Sequence, residues 1–161
     1  MTKKADFNAE EWETIVEGPP IAGMIVVVAE KGGTFREALK VGQAYEDARK
    51  IHIGPELINE LLDSTPSPDP RGYESIEEVH DKGLEVLRTA ISILSVKATE
   101  EELDAYRGFV MGIAERVAHA HKTGGFLGIG GHKISDKEQL AMDEIRKVIG
   151  AHEIPGEDEE E

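Results

Sequence analysis

The chain contains no cysteine. That excludes a disulfide framework, thiolate metal ligands and a cysteine nucleophile together. It agrees with a reducing compartment, and the expected location is the cytoplasm. Positive charge is scarce: 18 Lys and Arg stand against 33 Asp and Glu, a formal net charge of −15. Such a field repels phosphate backbones and anionic lipid, so neither nucleic acid nor a membrane surface is an expected partner. Long apolar runs are missing as well. The longest, Ile21 to Ala29, is nine residues, whereas a bilayer span takes about 20, so this run reads as a buried core segment. The opening Met1-Thr2-Lys3-Lys4-Ala5-Asp6 leads into no apolar stretch of the kind a secretory signal needs.

What the chain has in quantity is helix starts. Asn8/Glu11, Thr34/Glu37, Ser75/Glu78, Thr99/Glu102 and Ser135/Glu138 each pair a capping side chain with a Glu three positions later. That spacing lets two side chains satisfy otherwise orphaned amides reciprocally. Phe7 and Trp12 flank the first pair in the positions of a hydrophobic staple. The pattern predicts helices over about 9–17, 20–31, 35–51, 55–63, 76–97, 100–122 and 136–149. The first stops at Gly18-Pro19-Pro20 and the second at Gly32-Gly33. No segment alternates long enough to argue for a strand. The expected fold is an all-α, single-domain bundle over 1–150 with about seven helices and a long antiparallel helical hairpin at about 76–122. Trp12, Val26, Leu87, Leu94, Val110 and Val117 are expected in its core.

A Pro-rich connector over 64–72 separates two halves. Residues 151–161, ending in five consecutive acids, are expected to form a disordered acidic tail. The Gly-rich stretch Gly124 to Gly131 lacks the Gly-x-Gly-x-x-Gly spacing, follows a helix rather than a strand and carries no Gly-Lys-Ser/Thr. Phe126, Leu127 and Ile129 within it suit a structural loop better than a phosphate cradle. Serines sit in caps or in the connector, and no Gly-x-Ser-x-Gly elbow occurs.

The two halves share a pattern. Val28-Ala29-Glu30-Lys31-Gly32-Gly33-Thr34 through Glu37 and Val117 through Gly125 each carry a helix end and a Gly-Gly stop. A Thr or Ser cap with Glu three later follows, at Ser135/Glu138 in the second half. With the stretch His132 to Gly150, this resembles the TerB-like (tellurite-resistance) all-helical family, whose pseudo-symmetric halves repeat such a turn. The resemblance covers 22–48 and 109–150. The chain departs from the family at the turns: Lys31-Gly32 stands where Asp-Gly is expected, and the second turn is stretched by the Gly-rich loop. The metal binding that the family implies through turn carboxylates therefore does not transfer to these loops. The resemblance implies a stress-linked, non-enzymatic role.

One constellation on the hairpin carries chemistry. His80 falls on the apolar stripe Ile76, His80, Leu84, Leu87, Ile91, Leu94, and Glu77 lies one turn earlier. His121 closes the stripe Leu103, Tyr106, Val110, Ala114, Val117. Antiparallel pairing would bring His121 to about 7 Å along the axis from His80. Imidazole with carboxylate suits zinc or iron, so Glu77, His80 and His121 are the candidate ligands of a single divalent transition metal. A di-iron bundle needs two Glu-x-x-His pairs, and only one faces inward; Glu115 and His119 fall on the opposite side. Helix dipoles and a hydrogen-bonded core histidine account for the same residues without a metal. No catalytic residue and no cofactor are expected. The favoured function is a non-enzymatic interaction or scaffold protein in a bacterial stress-response system, with a protein partner. The alternative is a ferritin-like or mononuclear metal-binding bundle.

Overall fold

A computed structural model of the 161-residue chain describes residues 1–29, 35–51, 54–64, 73–122 and 134–151, with side chains for 1–29, 41–50, 54–64, 73–119 and 134–151. The described residues form an all-α bundle with no strand. After a 3-10 turn at Lys4–Asp6 come α1 (Ala9–Ala29), α2 (Phe35–Ile51), α3 (Glu56–Asp63), α4 (Ile76–Lys97), α5 (Glu100–Lys122) and α6 (Asp136–Ile149). The connector, the Gly-rich loop, the acidic tail and the Thr34/Glu37 pair lie outside the description.

Three of the five predicted helix starts close fully as their spacing predicts, and a fourth closes in part. The Asn8 side chain accepts from Glu11 N at 2.9 Å, and Glu11 accepts from Asn8 N at 2.9 Å. The same reciprocity closes Thr99/Glu102 and Ser135/Glu138. At Ser75 only half of it forms: the hydroxyl accepts from Glu78 N, but the Glu78 carboxylate reaches back to Glu74 N instead. Phe7 and Trp12 staple the first start with ring centroids 5.8 Å apart. Glu102 does more than cap, because it also accepts from Thr2 N at 2.7 Å and from the Thr2 hydroxyl at 2.6 Å. Burial opposes its charge, but hydrogen bonds from Thr2 and Thr99 outweigh that and bring its carboxyl down to about 2.

The chief departure from expectation is at Gly18-Pro19-Pro20, where two helices were predicted and one runs through. Six α-helices therefore stand among the described residues, not seven. A proline inside a helix removes an N–H and leaves the carbonyl four residues earlier without its partner. For Pro19 that carbonyl is Ile15 O, and the buried Tyr106 hydroxyl of α5 donates to it at 2.9 Å. Burial pushes the Tyr106 phenol far up, so it stays a proton donor. Gly18 makes room for it: a Cβ there would overlap the Tyr106 hydroxyl. The amide that Pro19 lacks is thus replaced by a side chain 91 residues away.

The continuous α1 is the core of the bundle. Among the described helices its contacts with α4 and α5 are the most extensive, and α4 and α5, joined through Ala98 and Thr99, touch each other far less. By length and apolarity α1 could cross a membrane, but 67% of that window is buried against the other helices, which is the pattern of a core helix. Trp12, Val26, Leu87, Leu94, Val110 and Val117 are all buried, as expected. Each such aliphatic side chain contributes about 1.5–3 kcal/mol.

Candidate functional site

The α4 stripe is rotated from its expected position. Val79, Gly83, Leu87, Ala90 and Leu94 face the core, while Ile76 is 49% exposed and His80 sits at the edge, half-buried. Gly83 is the reason. A Cβ at 83 would lie 2.9 Å from Ile25 Cδ1 and 3.0 Å from Ile21 Cγ1, so its absence lets α1 press onto that face. The α5 stripe is as predicted through Leu103, Tyr106, Val110, Ala114 and Val117.

His80 opens onto a cavity of about 410 Å³ where three helix ends meet. Ile25, Val28 and Ala29 supply the α1 wall. This wall exists because α1 passes its prolines and delivers its last turn about 30 Å from its start. Ile76, Glu77, His80 and Asp81 come from the first turns of α4, whose beginning Ser75 sets. The Ser135/Glu138 box sets α6 in the same way, presenting Lys137, Leu140, Ala141 and Glu144. Leu140 is 64% exposed at the rim.

Across the α4–α6 side of this cavity runs one polar link. His80 Nε2 lies 2.6 Å from Glu144 Oε2, and Nδ1 lies 2.9 Å from Asp81 Oδ1. An ionised carboxylate only accepts, so the geometry calls for a proton on both ring nitrogens. The Glu144 contact, then that of Asp81, raises the His80 pKa above its ordinary value, with burial opposing in part. Glu77 is exposed on the same wall.

Of the predicted metal ligands, Glu77 and His80 thus share a cavity wall. His121 lies in the last turn of α5, and its side chain is outside the description. Among the described residues no group of three or more His, Asp or Glu is arranged to hold a metal ion. Glu115 and His119 are exposed, as their phase on the helix predicts. Sequence reasoning missed Asp81 and Glu144 as the partners of His80. Asp81 was adjacent in the chain, but Glu144 is 64 residues away and no periodicity pairs α6 with α4. Comparison with known proteins returned no matching family model, no matching curated protein and no matching solved structure.

Proposed function

We propose that the protein is a non-enzymatic, cytoplasmic interaction module, and that it binds a protein partner through the cavity between α1, α4 and α6. The observation that carries this reading is the pairing of a concave apolar floor with two large exposed apolar side chains, Ile76 and Leu140, at its rim. A concave, mostly apolar lining with a few polar groups at its edge is the common form of a binding site. The TerB-like resemblance over 22–48 and 109–150 supports the same reading, because its implied role is stress-linked and non-enzymatic. A photo-crosslinking amino acid placed at position 140 should yield a discrete adduct with one cellular protein. The same group at Arg88, an exposed position on α4 away from the cavity lining, should not. Equal adducts from both positions, or none from 140, would remove the reading.

A metal-binding reading rests on Glu77 and His80 sharing one wall of the cavity. Its ligand set requires His121, and its test is a metal titration.

A further inference from the structure

We propose that the partner seated on this cavity is a basic amphipathic helix, which buries one large apolar side chain between Ile76 and Leu140 and sets its Lys or Arg residues against the acidic rim. This rests on the interaction reading above and adds the chemistry of the partner.

The apolar half of the argument is shape. A floor of Ile25, Val28 and Ala29 with Ala141 beside it has the size to take a Leu- or Phe-like side chain, and Ile76 and Leu140 are left exposed on either side to cover it. Helix-in-groove recognition uses this arrangement, anchoring an apolar helical stripe in a hydrophobic groove.

The charged half is local and global. Among the described lining residues three acids, Glu77 and Asp81 of α4 and Glu144 of α6, outnumber two cations, Lys137 and the doubly protonated His80; His80 engages Asp81 and Glu144, and Glu77 stands outside those contacts. The positive ends of the α4 and α6 dipoles are already met by acids in their own first turns. The whole molecule carries −15, so the field at the cavity draws cationic partners and repels anionic ones. A partner with an apolar stripe and no positive charge would gain the floor but nothing from the rim.

The probe is a fluorescent helix of about 18 residues with Leu at i, i+3, i+4 and i+7 and Lys elsewhere. It is titrated with full-length protein and followed by anisotropy. Two companions replace Lys by Glu, or Leu by Ser. The expected result is saturable binding of the Leu/Lys helix, weaker at higher salt, with each companion at least about tenfold weaker. Ile76→Ser with Leu140→Ser changes two exposed side chains, so the fold should persist by circular dichroism and melting, while affinity for the Leu/Lys helix falls roughly tenfold. Equal affinity for wild type and the double variant means adhesion by charge alone and overturns the proposal. Equal affinity for the Lys and Glu helices overturns it too, because the rim then selects nothing. A concentration-dependent dimer that Leu140→Ser dissociates would make a second copy of this chain the occupant, with the same consequence. In each of these cases a specific crosslink from position 140 would still uphold the interaction reading, so the two failures are distinguishable.

Discussion

Tyr106 shows how much one side chain decides. Without its hydroxyl, Ile15 O would sit in a dry core with neither its helical amide nor a substitute. A buried acceptor left unpaired costs about 1–3 kcal/mol. Tyr106→Phe should therefore lose about that much in urea unfolding, with the slope against denaturant unchanged. Gly18→Ala should destabilise by at least as much, because the new methyl competes for the hydroxyl's place. A Tyr106→Phe variant within ~0.5 kcal/mol of wild type would mean the carbonyl finds another partner. Glu102 is a second case, where one carboxylate both caps α5 and holds Thr2 to the bundle. Three-residue spacing announces the first of these tasks; nothing local announces the second.

Between helices, the described link at the cavity is His80 on α4 against Glu144 on α6. His80 has a folded pKa above its unfolded value. Its stabilisation is therefore complete below about pH 6.5, the unperturbed imidazole value. It is lost as pH rises through the folded pKa, where the ring gives up one of its two N–H donors. The side chain is 34% exposed, so solvent screening limits the effect to about 0.5 kcal/mol. Imidazole proton shifts followed by NMR should place the His80 midpoint above its ordinary value. In Glu144→Gln it should move down, because the larger of the two raising contacts is gone. An unmoved midpoint would show that Glu144 does not hold the ring in solution. The same cavity depends on α1 being continuous: had it stopped at Pro19, Ile25, Val28 and Ala29 would have belonged to a separate helix free to lie elsewhere.

For the molecule as a whole, the competing readings of the cavity differ in what they do to stability. A bound metal stabilises by mass action, raising the melting temperature with metal concentration. Both nitrogens of His80 already face carboxylate oxygens, and a metal would have to displace a proton and one of those contacts. Titration with zinc, iron(II) and manganese should leave the melting temperature unmoved in wild type and in His80→Ala alike. A rise in wild type that His80→Ala abolishes would hand the cavity to the metal reading and bring His121 into it. The excess of acids, by contrast, acts at a distance: it sets which partners approach, and it says little about which helix packs on which.

Helix starts, the all-α class, the staple of Phe7 on Trp12 and most of the core were legible in the residues, because each is closed within a turn or two of chain. A cap and its Glu are three residues apart, and an apolar stripe needs only its own helix to exist. The continuity of α1 was not legible, since the hydroxyl that stands in for the amide missing at Pro19 arrives from α5. Nor was the outward turn of His80, which follows from the close approach of Ile21 and Ile25 to Gly83. Its pairing with Glu144 was equally hidden, since it joins the first turns of one helix to the middle of another. Local hydrogen bonds form wherever their spacing occurs. Which faces meet is settled only when the helices compete for the same buried volume, and the cavity lies where that competition leaves a gap.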